Sequence, residues 1–227
     1  MGPPGLFYVL SKPTHPSLSE QTWNTWYTSE HMRDMVSIGL ADLAIRYRNT
    51  NPSASWPYLA VYRLPDAAKL QDPAVMGAMA ETSDLLPAPW KEVMAMELRA
   101  YALVQRFEGQ VERPGRAREL ITVAMEPAEG EDAERDFDEW YRKQHLDMLS
   151  MCDGYCRTTR YKKLDDSTPR YIALHEYEST AYPPKEQLKL VTGTEWSKKV
   201  IGTAKVFDRD VWEYVSEYSK EGVDQKL

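Results

Sequence analysis

Cysteine is scarce: Cys152 and Cys156 are the two in 227 residues. Two thiols cannot make the disulfide framework of a small secreted domain, so a reducing, cytoplasmic setting is expected. Positive charge is also in deficit, with 28 Lys and Arg against 35 Asp and Glu, and a net charge of −7. A nucleic-acid partner is not expected, because phosphate recognition needs a basic surface. No apolar run approaches the roughly 18 residues of a membrane span. Residues 1–16 lack a basic start followed by an apolar core, so neither a membrane partner nor a signal peptide is expected. The chain has no HExxH, CxxC or Asp-rich calcium loop, and no GxGxxG, P-loop or GxSxG elbow. No metal and no cofactor are therefore expected. Aromatics with polar tips are plentiful, with 7 Trp and 14 Tyr. Such rings suit cores, and they also suit pockets for flat organic ligands.

The chain repeats itself. Trp26-Tyr27-Thr28-Ser29-Glu30-His31 falls on Trp140-Tyr141-Arg142-Lys143-Gln144-His145 at a shift of 114. The same shift carries Leu6, Val9 and Pro13 onto Leu120, Val123 and Pro127, and Arg46-Tyr47-Arg48 onto Arg160-Tyr161-Lys162. A shift of 113 then carries Tyr58, Ala60 and Tyr101 onto Tyr171, Ala173 and Tyr214. Ordered matches of this kind mark a tandem duplication.

Each half reads as β-α-β-β-α-β. In the first, strands are expected at 6–10, 42–48, 58–63 and 93–104, with a second helix over 67–82. Ser17 to Glu20 resembles a capping box opening the first helix, and Gly39 is a plausible stop. In the second, strands are expected at 119–125, 156–162, 170–177 and 206–215, with helices over 132–152 and 185–204. The order is that of the ferredoxin-like split βαβ unit, whose sheet leaves one face bare. Two copies can cover each other, so the expected class is α+β: two tandem ferredoxin-like repeats forming a pseudo-dimeric α+β barrel. The expected layout is a first repeat over 1–107, a linker over 108–118 and a second repeat over 119–227.

A helix-borne Trp-Tyr-x3-His followed by a strand, within such a unit, resembles the EthD-like branch of the dimeric α+β barrel superfamily. The resemblance covers most of both halves. It implies small hydrophobic or aromatic substrates, often no cofactor, and haem in some members. It further implies chemistries such as monooxygenation, cyclisation, decarboxylation or isomerisation. Fold alone does not choose among these.

On the first helix, Trp23, Tyr27, His31 and Asp34 recur at helical spacing. A histidine beside a carboxylate is a general base near neutral pH, so His31 is the expected base, with Asp34 or Glu30 as its acid. The alternative is a structural helix histidine. Arg46 and Tyr58 are expected to stabilise a developing enolate or phenolate, the alternatives being a strand-end arginine paired with a surface acid and a tyrosine of the core or pocket wall. Trp23, Tyr8, Tyr27, Tyr62 and Tyr101 are expected pocket walls. The second copy has Met148 and Gln144 where the first has Asp34 and Glu30. His145, Tyr141, Arg160 and His175 are therefore assigned to substrate binding. The expected function is a cofactor-independent tailoring enzyme acting by acid–base chemistry on an aromatic or polyketide-like substrate. The alternatives are a cofactor-free monooxygenase, a hydrophobic-ligand carrier, and a haem protein with His145 or His175 as axial ligand. A homodimer of the fused chain is a further option.

Overall fold

The computed structural model describes residues 1–109, 111–179, 181 and 183–227. In the first half, β1 (Gly5–Pro13) leads to helix α1 (Glu20–Trp26), a π turn (Tyr27–His31) and α2 (Met32–Ser37). Strands β2 (Leu43–Asn49) and β3 (Tyr58–Leu64) follow. Then come a 3-10 turn (Ala67–Gln71), the short helices α3 (Pro73–Gly77) and α4 (Trp90–Val93), and strand β4 (Met94–Glu108). The second half starts with β5 (Glu119–Glu126), α5 (Glu131–Trp140), a second π turn (Tyr141–His145) and α6 (Leu146–Ser150). It ends with β6 (Tyr155–Lys163), β7 (Tyr171–Tyr177), α7 (Lys185–Thr192), α8 (Glu195–Thr203) and β8 (Val206–Ser219).

The eight strands run β1-β3-β2-β8-β5-β7-β6-β4 as a closed barrel. The fold is thus a mixed α+β barrel of ferredoxin-like units. The chain divides into two compact units, Met1–Leu103 with Tyr214–Gln225, and Val104–Glu213 with Lys226–Leu227. Among the described residues no helix is long and apolar enough to cross a membrane.

In the first unit, β3 pairs antiparallel with β1 and β2, and β1 also pairs with β4. Strand alternation turns Phe7, Val9, Ala44, Tyr58, Ala60 and Tyr62 toward the helices. There they pack with Trp23, Trp26, Tyr27 and Met35. In the second unit, β5 pairs with β7 and β8, and β6 with β7. Ile121, Val123, Met125, Ala173 and Tyr177 form the corresponding layer with Phe137, Trp140 and Tyr141.

Local chemistry moved three boundaries from their expected places. The first helix is capped by Ser19, whose Oγ accepts from Thr22 N–H at 3.0 Å. Ser17 instead closes a turn on His15 Nδ1. The expected helix over 67–82 is a 3-10 turn and one short helix. Asp66 and Asp72 each cap a fresh turn, and Pro73 at the start of α3 cannot continue a helix from before it. The expected helix over 185–204 is two, because the Thr194 hydroxyl accepts from Ser197 N–H and starts a second one.

Gly39 ends α2 with φ at +76°, which favours glycine. Gly5 is required for a different reason. A Cβ there would lie 2.2 Å from the Tyr101 carbonyl oxygen on the paired strand. Gly5→Ala is expected to lower stability by about 1–3 kcal/mol, because backbone cannot rotate away as a side chain can. Urea unfolding measures this; an unchanged midpoint would mean the strand pair is looser than it stands.

Candidate functional site

The repeated Trp-Tyr-x3-His motif builds a π turn in each helix. Met32 N–H reaches back to Tyr27 C=O, and Leu146 N–H to Tyr141 C=O. The wider turn brings residues five apart into register. His31 stacks on Trp26 with ring centres 4.9 Å apart, and His145 on Trp140 at 4.1 Å. Tyr27 and Tyr141 meet the same imidazoles edge-on at 4.9 and 5.3 Å. π turns inside α-helices are frequent at functional sites.

In the first unit, the structure gathers His31, Tyr27, Trp23, Arg46, Tyr58 and Tyr62 between helix and sheet. Tyr62 donates to the Tyr27 hydroxyl at 3.1 Å. The Arg46 guanidinium lies 4.2, 4.4 and 4.5 Å from the ring centres of Trp23, Tyr27 and Tyr58. Asp34 and Glu30 do not join this group. A helical side chain leans toward the helix N-terminus, so His31 turns back onto Trp26 and away from Asp34. No hydrogen bond or ion pair connects His31 to either acid among the described residues. Burial, then the Arg46 charge, holds the His31 imidazole down at a pKa of about 4. Asp34 is instead raised by partial burial and by Glu30, against Arg33. Tyr8 and Tyr101 meet each other at 6.3 Å. Tyr8 pairs with Val61 and Phe7 with Tyr62, so Tyr8 points to the sheet face opposite Tyr62.

The second unit holds a cavity at the equivalent place. Its walls include Ile121, Met125, Trp140, Tyr141, Tyr177 and Leu188, with His145, His175 and Arg209 as its charged or titratable groups. About 510 Å³ within it and its mouth is not filled by atoms, and about 70 Å³ admits the centre of a water-sized sphere. An apolar space with a few convergent polar groups is the usual form of a small-molecule site. Side-chain size explains why it opens here. Phe7 and Tyr62 fill the first unit, 6.0 Å apart, where the repeat has Ile121 and His175 in the second.

Both imidazoles of the cavity are neutral. Burial, then neighbouring cations, brings His175 down to about 3, and His145 falls well below its ordinary value through burial, His175 and Arg160. The rings stand 6.4 Å apart. His175 Nδ1 shares a 2.8 Å hydrogen bond with the Thr158 hydroxyl, which in turn accepts from the Tyr155 hydroxyl at 3.0 Å. This chain holds the ring in place. His145 Nδ1 is buried without a hydrogen-bond partner among the described residues. Arg160 stacks on Tyr141 at 4.0 Å, and its Nη1 meets Asp138 at 3.0 Å and Gln105 at 2.8 Å.

Three groups escaped the sequence reading: Thr158, Glu119 and the cavity-lining Arg209. Thr158 was hidden inside a strand without a distinctive motif. Glu119 alternates with Ile121, Val123 and Met125, so it shares the cavity-facing side of β5. It is 1% exposed, and burial lifts its carboxyl to about 7 against the pull of Arg209. A charged residue on an otherwise apolar strand face was the signal.

Among the described residues no group of three or more His, Cys, Asp or Glu side chains gathers as metal ligands.

No family model matches the chain. It is 30% identical to core atranone cluster (CAC) protein 1 of Stachybotrys chlorohalonatus, across 95% of this chain and 92% of that one. The chain belongs to the family of core atranone cluster (CAC) protein 1. Solved structures show the same fold in more distant proteins. A putative monooxygenase from Fusobacterium nucleatum matches all of both chains with a TM-score of 0.58 at 9% identity. An anthrone oxidase-like protein matches 95% of this chain and 93% of its own, with a TM-score of 0.57 at 14% identity. A mutant chlorite dismutase from Candidatus Nitrospira defluvii reaches 0.60 at 10% identity, covering 95% of this chain and 92% of that one. At such identities the likeness is of fold, the dimeric α+β barrel of ferredoxin-like units, and carries no activity with it.

Proposed function

We propose that the chain is a tailoring enzyme of secondary metabolism that acts by proton transfer, without a cofactor, on an aromatic or polyketide-like substrate. The second-unit cavity carries this reading, since its apolar walls suit a flat hydrophobic molecule and its two imidazoles are the polar groups that meet it. The name of the atranone cluster relative supports a place in a biosynthetic cluster. The reading includes the EthD-like branch and a fusion of two such units, supported by the repeated π turn.

The step begins with removal of a proton from an acidic C–H or phenolic O–H. His175, held by Thr158, or His145 accepts it. Burial makes these imidazoles weak bases at rest, and the negative charge of the enolate or phenolate forming beside them raises their proton affinity during the step. Arg209 in the wall stabilises that charge. Decarboxylation, elimination, cyclisation and isomerisation share this first step. A deprotonated electron-rich ring can also react with oxygen directly, so monooxygenation is the second outcome.

The test pairs a gene deletion in the host with His145→Gln and His175→Gln alleles. The same intermediate is expected to accumulate in all three strains. Purified wild-type protein is expected to convert it with nothing added, and the folded variants to be slower by about 10²–10⁴. The mass change names the reaction: loss of CO2, loss of water, gain of oxygen, or none. Full activity in both variants would sink the site. Tight binding without turnover by the wild type would make the protein a carrier.

Glu119 sits on the same side as the cavity wall and titrates at about 7. The kcat/KM profile is accordingly expected to show a limb near pH 7 that Glu119→Gln lacks. A limb retained in Glu119→Gln would assign the titration to another group.

A further inference from the structure

The two units treat their equivalent arginines differently. Arg160 has an acid: Asp138 on α5 reaches its Nη1 at 3.0 Å. The repeat places Asn24 on α1 where Asp138 stands. The match is fixed by the neighbouring turn, because Glu20 hydrogen-bonds to the Tyr58 hydroxyl just as Glu134 does to Tyr171. Asn24 offers no charge, and its Nδ2 donates to the Tyr58 hydroxyl at 3.2 Å. Arg46 is 0% exposed, and its Nε, Nη1 and Nη2 all lack an acceptor among the described residues. Its faces are taken by the aromatic rings, which leaves the in-plane N–H edge, the edge a carboxylate meets with two parallel hydrogen bonds.

A second exchange points the same way. Phe137 of the second unit is Trp23 in the first. The Trp23 indole N–H is buried beside Arg46 and also lacks an acceptor among the described residues. The first unit has thus lost an internal acceptor and gained a donor. Asn24, whose buried Oδ1 has no donor among the described residues, also lines a surface cleft with Glu20, Gln21, Thr25 and Thr28. It thus lies between that cleft and Tyr58, whose ring packs on Arg46. An acid there stands beside Glu20, an arrangement the second unit already holds in Glu134 and Asp138.

We propose that Arg46, with Trp23 and Asn24, forms a ligand site in the first unit that takes a small organic carboxylate, which supplies to Arg46 the charge that Asp138 supplies to Arg160. The site is separate from the second-unit cavity and does not depend on the reaction proposed there. It receives the acid group of a free metabolite or of a substrate arm.

Benzoate is the probe, titrated against the full-length protein while unfolding is followed, with sodium chloride at matched ionic strength as reference. Wild type is expected to gain stability saturably with benzoate beyond chloride. Asn24→Asp supplies the acid internally, and its apparent benzoate affinity is expected to fall about tenfold or more, the worth of a charge-assisted pair. Arg46→Met removes the charge while filling the cage, and is expected to lose the response as well. Asp138→Asn makes the reciprocal change and is expected to create a benzoate response in the second unit. Equal responses of wild type and Asn24→Asp would overturn the proposal. So would no response in the wild type, or one that chloride reproduces in full.

Discussion

Arg157→Met is expected to cost about 3–5 kcal/mol of stability at neutral pH, the usual result of stranding one partner of a buried ion pair. Arg157 and Glu176 are both 1% exposed at their side chains, with Nη1 3.1 Å from Oε2. The Arg157 Nη2 also donates to the carbonyls of Arg113 at 2.5 Å and Gly115 at 2.9 Å. Removing the guanidinium therefore leaves a buried carboxyl without its counter-charge, held by the backbone N–H groups of Ala117 and Leu227, and strands two backbone acceptors. A double replacement, Arg157→Met with Glu176→Leu, is expected to recover part of the loss. It removes the stranded acid but leaves the two carbonyls without their donor.

The loss should depend on pH in a defined direction. Burial lifts Glu176 to about 7, with Arg157 opposing. Its folded value thus lies above the ordinary carboxyl value of 4.5. The contribution of Glu176 is fully present below that ordinary value and is lost as pH rises through about 7. Without Arg157 the folded value climbs further, so the variant keeps losing stability at pH where the wild type has finished. The gap between them is expected to widen above pH 7. Urea unfolding at pH 6 and pH 9 measures it; a gap that narrows at pH 9 would mean that Glu176 does not govern the pair.

Trp140→Ala is expected to cost about 3–5 kcal/mol, the range for emptying a buried indole site. Trp140 is 1% exposed, stacks on His145 and donates its indole N–H to the Ser197 hydroxyl at 3.1 Å. Trp140→Phe separates these roles. Phenylalanine keeps a ring under His145 and gives up the hydrogen bond. The Ser197 hydroxyl still donates to Val191 C=O at 2.8 Å. The smaller change is thus expected to cost about 1 kcal/mol, plus whatever the reduced ring volume adds. Activity on the accumulated intermediate should follow the same order, because the stacked indole holds the His145 ring at the cavity wall. Equal losses in the two variants would show that stacking contributes nothing.

The repeat, the strand order and the Trp-Tyr-x3-His motif were legible in the amino-acid sequence. The aromatic identities recur in both halves, and alternation or helical spacing needs nothing beyond one element to be read. Asp34 shows where such reading stops. Spacing alone puts it one turn from His31, yet the imidazole turns the other way to stack on Trp26. The broken second helices follow from caps at Asp66, Asp72 and Thr194, where side-chain oxygens compete with the helix ladder. Periodicity does not register that competition.

By itself, then, the sequence determined an α+β barrel of two similar halves with a histidine in the long helix of each. Only the tertiary structure decided which half opens. Ile121 and His175 leave the room that Phe7 and Tyr62 fill, and this comparison has meaning once the strands are paired and their facing sides known. The tertiary structure likewise decided which arginine is paired. Asn24 and Asp138 lie on helices, Arg46 and Arg160 on strands, and no spacing along the chain says that they meet. Contacts between elements set charge balance and cavity volume, because both depend on what each side chain faces across a gap.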